Sequence, residues 1–352
     1  MTVVSLSMGL VLSLWPGPEG PATWETELHA GLQAAREGRY GEAEGRYREA
    51  EAVARRFGPH DPRLAQTLAL LGRLYTSQAR GEEAEVTLEE ALELYRTALG
   101  PESPDVASVL VFLGNLRRDQ GRYGDAEGAY RRSLEKAAEG LGPEHLGTAP
   151  ALDGLAGVHR LRGELSRAEK LYRRSLEIYD RAVGPHDPRF AVGLNTLATL
   201  LLHRERYAEA ERIYRRALDV QPDDATTLSN LGVACRRQGK HGEAERYFET
   251  ALDTQETQLG PDHPNVAMTL DSLVTLYYER GEYRRALPLS ARAIAIHQEV
   301  LGPDHPALAT SIENRVFVLR KLNHRAEAEE LAAWARAIRR RHAARDGSRQ
   351  VP

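Results

Sequence analysis

Histidine, the commonest protein ligand for transition metals, recurs along this sequence in the connecting segments of a repeat. The recurring residues are His60, His145, His186, His263 and His305. Each belongs to a different copy of the repeat, so we expect their side chains to lie about one repeat apart along an edge. Zinc needs its ligand atoms within about 2.1 Å of one ion. The spacing therefore predicts no metal site, and we interpret these histidines as polar residues that help to begin the next helix.

No other constellation predicts catalysis. The sequence has no G-x-x-x-x-G-K-[ST], G-x-G-x-x-G, H-E-x-x-H or G-x-S-x-G motif, and no strand pattern that would carry such loops. The single cysteine, Cys235, occupies the repeat position of Tyr75 and Tyr277, which favours a small core residue over a nucleophile. The tyrosines and phenylalanines recur at helical spacing, so we interpret them as core fillers rather than a stacking platform for bases. We predict a non-enzymatic protein without a cofactor.

Length and charge limit the function further. The chain has 352 residues, which strains a single hydrophobic core and favours several domains or a repeat array. Its net charge is −4, so the surface as a whole does not attract nucleic acid or anionic lipid. Only four of the 47 basic residues are lysine, a bias that suggests a GC-rich, bacterial coding sequence. We therefore predict no nucleic-acid partner.

The chain begins with an apolar leader, which we assign to residues 1–22. The apolar run at residues 3–15 is too short to span a bilayer but fits the apolar region of a secretory signal. No Lys or Arg precedes the run and no clear Ala-x-Ala site follows it, so cytoplasmic and exported locations both stay open. We assign residues 23–338 to a repeat domain and residues 339–352 to a basic C-terminal tail, and predict no integral membrane span.

The repeat has a period of 42 residues with one shorter copy. Gly-Pro recurs at intervals of 42, 42, 42, 76 and 42 residues, beginning at Gly58. A second marker, an alanine, recurs eight times between Ala43 and Ala328, with one interval of 34 residues after Ala210. Apolar residues at i, i+3 and i+4 predict that each copy begins with an amphipathic helix, and small residues predict a closely packed second helix. The sequence therefore predicts eight helical pairs.

Local deviations from the repeat carry further predictions. Gly-Pro ends the second helix of a copy, since glycine caps a helix and proline cannot continue it. The eight extra residues of the longer copies are expected to lengthen the second helix by about two turns. In the fourth copy, the stretch GTAPALDGLAG predicts a shortened or mobile first helix with Pro150 in its opening turn.

These signatures resemble the tetratricopeptide repeat, whose consensus is W-x2-L-G-x2-Y, A-x3-F and P. The matching residues are Leu71, Gly72, Tyr75, Ala210, Tyr214, Ala217, Pro222, Ala244 and Phe248. The 42-residue form is similar to the repeats of kinesin light chains and bacterial relatives, but the long N-terminal heptad segment of the kinesin light chain is missing. The resemblance covers residues 24–338 and implies an all-α, right-handed α-α superhelix of eight helix-turn-helix repeats.

The resemblance also implies a concave groove lined by the first helices. Positions beside the buried stripe of these helices give the candidate peptide-binding residues Asn115, Arg118, Arg160, Asn195, Asn230, Arg236, Tyr278, Asn314 and Arg320. Asn amides can pair with a peptide backbone and Arg can bind carboxylates in two-point fashion. Interleaved acidic residues, including Asp119, Asp153 and Asp271, weaken the acidic-ligand interpretation, and the alternative is the solvated face of an amphipathic helix.

The function that follows is a protein-interaction scaffold that binds protein or peptide partners, with some acidic character, in this groove. The alternative is a regulatory or sensory module that self-associates or controls a separately encoded enzyme. Both are compatible with the repeat class, because a fold alone does not fix a function.

Overall fold

The computed structural model of the chain describes residues 21–349. Nearly all of this range is α-helical, and no strand occurs within it. None of the helices in the range combines the length and the hydropathy of a membrane-spanning segment. The apolar run at residues 3–15, predicted as a possible signal, lies outside the described residues.

The helices form eight consecutive pairs, each with a short turn between its members. In chain order they are α1 Pro21–Arg36, α2 Tyr40–Ala54, α3 Pro62–Ser77, α4 Gly81–Leu99, α5 Pro104–Asp119, α6 Tyr123–Leu141, α7 Ala149–Leu161, α8 Leu165–Val183, α9 Pro188–His203, α10 Tyr207–Val220, α11 Ala225–Arg237, α12 His241–Leu259, α13 Pro264–Glu279, α14 Tyr283–Leu301, α15 Pro306–Lys321 and α16 Arg325–Arg349. The predicted all-α fold of eight helix-turn-helix repeats is confirmed within residues 21–349. Two compact parts meet in sequence after Gly193, inside α9; we call residues 21–193 the N-terminal part and residues 194–349 the C-terminal part.

The connecting histidines cap the helices that follow them. His145, His263 and His305 each accept a hydrogen bond through Nδ1 from the backbone N–H two residues later, at 3.0, 3.1 and 3.2 Å. Asp61 and Ser103 do the same with side-chain oxygens in other connectors, at 2.9 and 3.2 Å. Such a bond satisfies one of the backbone donors that a helix start leaves open. The prediction that these histidines help to begin helices is confirmed for these three.

The turn within each repeat requires one residue with a left-handed backbone. Five repeats place glycine there, with φ between 75° and 79°. The other three place Ala79, Glu205 and Asn323 in the same conformation, with φ of 59°, 60° and 64°. An L-residue other than Asn adopts this region at a cost of about 1–2 kcal/mol, whereas glycine adopts it freely. The second and fifth repeats therefore carry backbone strain in their turns.

Replacing Ala79 by glycine is expected to raise the free energy of unfolding by roughly 0.5–1 kcal/mol, because relief of strain exceeds the entropy that glycine gains in the unfolded chain. The reverse change at the equivalent position, Gly121→Ala, is expected to lower it by a similar amount. Urea unfolding followed by circular dichroism measures both. Asn323→Gly is the matched control and should change stability less, since Asn tolerates this conformation. A destabilised Ala79→Gly variant would contradict the assignment of strain.

Each repeat packs its two helices together at a pair of positions with matched size. Where the first helix has glycine, the second has a large side chain, and a Cβ added to Gly31, Gly72, Gly114 or Gly232 would lie 2.5–2.6 Å from it. Where the first helix has valine, the second has serine or alanine. The pairs are Gly31–Tyr47, Gly72–Leu88, Gly114–Tyr130, Ala156–Tyr172, Ala198–Tyr214, Gly232–Phe248, Val274–Ser290 and Val316–Ala332. A densely packed interior requires such compensation, because it has no room for an added methyl group.

The sequence predicted that all eight extra residues of the longer repeats lengthen the second helix. This prediction is wrong, because the structure divides them between two helices. The second helix of the short repeat, α10, has 14 residues, against 19 in α12 and α14. The next first helix, α11, has 13 residues, against 16 in α13 and α15. Five residues therefore lengthen the second helix and three lengthen the following first helix. The insertion therefore lengthens the second helix before the connector and the first helix after it, because each of the two helices extends to its capping residue at the connector.

The fourth and eighth repeats deviate from the others. The first helix α7 has 13 residues and begins with proline in its first turn, so the predicted shortening and the place of Pro150 are confirmed. A 3-10 helix at Leu146–Thr148 precedes it. The final helix α16 continues through the predicted boundary at residue 338 to Arg349. Arg339 contributes to its packing, since its guanidinium pairs with Glu313 of α15 at 3.0 Å.

Candidate binding surfaces

In the N-terminal part, the candidate residues lie on α5 and α7. Asn115 is half-buried, and its Oδ1 accepts a hydrogen bond of 2.7 Å from the hydroxyl of Tyr130. Arg118 is half-buried and pairs with its neighbour Asp119 at 2.9 Å. Arg160 is exposed. Asn115 therefore contributes its amide N–H₂ rather than its carbonyl to any ligand.

Tyr172 on α8 is buried, and both Arg118 and Arg160 lie close enough to influence the pKa of its phenol. Burial raises the pKa of Tyr172, the charge of Asp153 raises it further, and the charges of both arginines oppose this. Two guanidinium groups on successive first helices and the carboxylate of Asp153 thus lie near one tyrosine. We call Arg118, Asp153, Arg160 and Tyr172 the arginine surface. Such an arrangement can bind a carboxylate by two-point hydrogen bonding.

Asp153 contributes a carboxyl group with a raised pKa to this surface. Burial raises its pKa to about 6, although hydrogen bonds from Ser175 and Tyr179 lower it. The Tyr179 hydroxyl donates to Asp153 Oδ2 at 3.4 Å. Because burial outweighs these bonds, the ionised carboxylate is an unfavourable charge in the folded chain at neutral pH.

In the C-terminal part, the candidate polar residues mostly have partners within the chain. Arg236 forms an ion pair with Glu279, Asn314 donates to Asp271 Oδ1 at 3.0 Å, and Arg320 pairs with Glu329 at 2.8 Å. The remaining two, Asn195 and Asn230, are half-buried on α9 and α11. The expectation that Arg236 and Arg320 bind ligand carboxylates is weakened, because each already neutralises a carboxylate of another helix, and Arg118 is partly engaged as well through its neighbour Asp119.

Aromatic side chains form an exposed surface near the last two repeats. The ring of Tyr278 lies 5.6 Å from that of Tyr283 and 6.2 Å from that of Phe317, measured between centroids. Lys321 Nζ lies 6.0 Å from the centre of the Tyr278 ring. Phe317 is 51% exposed, so the interpretation of every phenylalanine as a core filler is wrong here. We call Tyr278, Tyr283, Phe317 and Lys321 the aromatic surface.

The sequence contains a signal for this surface that periodicity alone does not reveal. Phe317 stands at the repeat position of Asn115 and Thr275, which both lie beside the buried stripe of their helices. An aromatic residue at a position that holds Arg73, Asn115, Thr199 or Thr275 in other repeats predicts exposure rather than burial. Tyr278 stands likewise at the position of Arg118 and Arg160.

A buried polar ladder runs through the C-terminal part and contains serine, histidine and aspartate. The Ser311 hydroxyl lies between His297 Nδ1, at 2.8 Å, and the carboxylate of Asp271, to which it donates. In a nucleophilic triad the histidine, not the serine, occupies the centre. Ser311 and His297 are at most 1% exposed, so a substrate has no access to them. The same connection recurs 42 residues earlier, where Thr269 joins Gln255 and Ser229, which indicates a packing role.

One group of side chains has ligand types that suit a metal ion. Atoms of Glu211, Cys235 and Glu243 lie within 4.8 Å of one another. The Glu211 carboxylate, however, accepts hydrogen bonds from Lys240 at 2.7 Å and Gln238 at 2.6 Å. Burial raises the pKa of the Cys235 thiol to about 11, which disfavours the thiolate that binds metals. We interpret the group as an ion-pair network that joins the fifth and sixth repeats.

Replacing Glu211 by glutamine is expected to lower the free energy of unfolding by about 1 kcal/mol at pH 7. Burial alone raises the pKa of Glu211, but the bonds from Lys240 and Gln238 and the charge of Arg215 hold it below its ordinary value. The carboxylate therefore stabilises the fold above about pH 4.5 and loses this effect as the pH falls through its folded-state pKa.

Urea unfolding between pH 7 and pH 3 measures the difference between the native chain and Glu211→Gln. The difference should shrink toward pH 3. Glu243→Gln is the matched control, since this half-buried residue pairs with the exposed Arg215, and should change stability by less than about 0.5 kcal/mol. Zinc that stabilises the native chain but not Glu211→Gln would contradict the ion-pair interpretation.

Comparison with known proteins identifies the repeat. The tetratricopeptide repeat profile matches six overlapping stretches, residues 25–97, 74–139, 105–181, 151–223, 223–298 and 276–341. The apo form of RapI aligns with 89% of this chain and 85% of its own, with a TM-score of 0.65 and 16% sequence identity. BtubC (BKLC) from P. vanneervenii aligns with 68% of this chain and 92% of its own, with a TM-score of 0.52 and 22% identity. No curated protein sequence matches the chain. At these identities the structural likeness establishes the fold alone.

Proposed function

The chain belongs to the tetratricopeptide repeat family, and from that premise we propose that it is a non-enzymatic scaffold that binds a protein partner or peptide on its first helices. Proteins of this family mediate protein–protein interactions. The finer proposal is that the arginine surface binds a partner segment through its carboxylates. It is supported by the N-terminal part, where two candidate residues from different repeats come together.

The observation that carries this proposal is that Arg118 and Arg160, on the successive first helices α5 and α7, lie close enough to Tyr172 for the charge of each to lower its pKa. Their separation in sequence, 42 residues, is one repeat, so the stacking of two repeats creates the site. Arg160 is exposed, whereas Arg118 is half-buried and pairs with Asp119, so a ligand carboxylate competes with Asp119 for Arg118.

A pull-down with the tagged full chain tests the proposal. The variant Arg118→Glu/Arg160→Glu should lose the partners that the native chain retains, because it replaces two positive charges by two negative ones at the site. Arg132→Glu/Lys170→Glu is the matched control. It makes the same change of charge at exposed positions on the second helices α6 and α8, and should keep the partners.

Two outcomes would decide against the arginine surface. One is retention of every partner by Arg118→Glu/Arg160→Glu when circular dichroism shows native helix content. The other is equal loss in the control variant, which would indicate a nonspecific effect of charge. Arg236 and Arg320 are left unchanged in this test, because reversing either would place a glutamate beside Glu279 or Glu329 and disturb the fold itself.

A further inference from the structure

The aromatic surface is a second place on the C-terminal part where the side chains are suited to a ligand. Phe317 exposes 51% of its surface, although aromatic residues are among the most favourable to bury. Tyr278 is half-buried and contacts the rings of both Tyr283 and Phe317. The three rings come from α13, α14 and α15, so two repeats form one continuous apolar surface. Exposed apolar surfaces of this kind mark interaction sites.

A positive charge, that of Lys321, lies beside these rings. Lys321 follows Phe317 by four residues on α15, which places both on one helix face, and its Nζ lies 6.0 Å from the centre of the Tyr278 ring. Within residues 21–349 no ion pair forms at Lys321. The acidic side chains adjoining the tyrosines in sequence are already engaged, Glu279 by Arg236 and Glu282 by Arg280.

We propose that the aromatic surface binds a segment of a partner protein in which an apolar side chain stands next to carboxylates. The apolar side chain packs on Phe317, Tyr278 and Tyr283, and a neighbouring carboxylate pairs with Lys321. The inference rests on the proposed function and gives it a partner chemistry, because Tyr278 and Phe317 occupy the repeat positions that hold Arg118 and Asn115 in the N-terminal part. Charge complementarity selects this occupant, because Lys321 would repel a basic segment. A wholly polar segment would leave the aromatic rings exposed to water.

Fluorescence anisotropy with three labelled peptides tests the proposal on the full chain. The first peptide has a central phenylalanine flanked by two glutamates on each side. In the second, lysines replace the glutamates, and in the third, alanine replaces the phenylalanine. The native chain should bind the first peptide at least ten times more tightly than the second or third.

Two variants identify the residues. Phe317→Ser should weaken binding of the first peptide at least tenfold and should fold normally, because the side chain is exposed. Lys321→Glu should reverse the preference toward the lysine-flanked peptide, an outcome that a structural role would not produce. The matched control Val86→Ser/Lys170→Glu changes an exposed apolar residue and a lysine in the N-terminal part, and should bind like the native chain.

The proposal is overturned if the three peptides bind alike, or if Phe317→Ser and Lys321→Glu bind the first peptide like the native chain. It is also overturned if no peptide binds at about 1 mM protein, the concentration at which an association of ~4 kcal/mol is visible. Failure here is distinct from failure of the arginine surface. In the pull-down, the variant Arg118→Glu/Arg160→Glu can lose the partners while the variant Phe317→Ser/Lys321→Glu keeps them. That pair of results would overturn the proposal for the aromatic surface and leave the arginine surface standing.

Discussion

Replacing Gly232 by valine should lower the free energy of unfolding by about 3 kcal/mol, the upper range for an overpacked core. A Cβ at Gly232 would lie 2.6 Å from the ring of Phe248, and Phe248 is fully buried. The ring belongs to the second helix of the same repeat and has no empty space into which it could move. The added side chain therefore has to separate α11 from α12 or force the ring from its rotamer.

The sequence itself supplies the change that should restore packing. The eighth repeat has Val316 and Ala332 at the positions of Gly232 and Phe248, and both are buried. Phe248→Ala alone should cost about 3–5 kcal/mol, because it leaves a cavity. The double variant Gly232→Val/Phe248→Ala should cost less than the sum of the two single changes by at least 1 kcal/mol.

Urea unfolding of the four chains measures this coupling, with Gly242→Val as the control. Gly242 lies in the first turn of α12 and faces open space, since a Cβ added there would have no neighbouring atom within 4 Å. Its replacement should change stability by less than about 0.5 kcal/mol. Additive effects of the two core substitutions would show that the size match across repeats has no energetic meaning.

Replacing Asp153 by asparagine should raise the free energy of unfolding at pH 7.5, by up to about 3 kcal/mol. The pKa of Asp153 is raised by burial from 3.8 to about 6, and each unit of pKa corresponds to about 1.4 kcal/mol. The folded chain binds a proton at this site as the pH falls from about 7 to 4, whereas the unfolded chain does not. The native chain should therefore gain stability relative to Asp153→Asn as the pH falls over this interval.

Melting temperatures at pH 7.5, 6 and 4.5 measure the effect. Asp180→Asn, an exposed aspartate on α8, is the control and should follow the native chain at each pH. If Asp153→Asn is less stable than the native chain at pH 7.5, the hydrogen bond from Tyr179 outweighs the burial of the charge. The substitution also removes a negative charge from the arginine surface, so it should strengthen binding of acidic partners there.

The period of the sequence predicted the fold because every boundary carries its own chemical marker. Gly58 and its equivalents end second helices with positive φ, and Asp61 and its equivalents begin first helices. Such signals act within a few residues of the position they mark. The division of the eight extra residues between two helices was missed, because the marker at the connector fixes where the helices meet but not how long each continues.

The candidate sites were harder to predict for a physical reason. Whether Arg236 is available depends on Glu279, which lies 43 residues later in the chain, and helical spacing carries no information about such a pair. Arg118 and Arg160 were chosen by the same rule, and the charges of both influence the pKa of Tyr172. Periodicity thus selects a set of positions on each first helix, while the neighbouring repeat decides which side chains at those positions already have a partner.

The matched glycine–aromatic and valine–alanine pairs lie within single repeats, and no Gly-Pro separates the two members of a pair. A duplication, deletion or exchange of a whole 42-residue cassette therefore keeps each pair intact. Recombination between the two helices of a cassette would instead join valine to phenylalanine or glycine to alanine. Contacts between neighbouring repeats limit this exchange, because a Cβ at Gly154 would clash with the ring of Tyr130 in the preceding repeat. A new junction between cassettes therefore has to match the sizes of the side chains that meet across it.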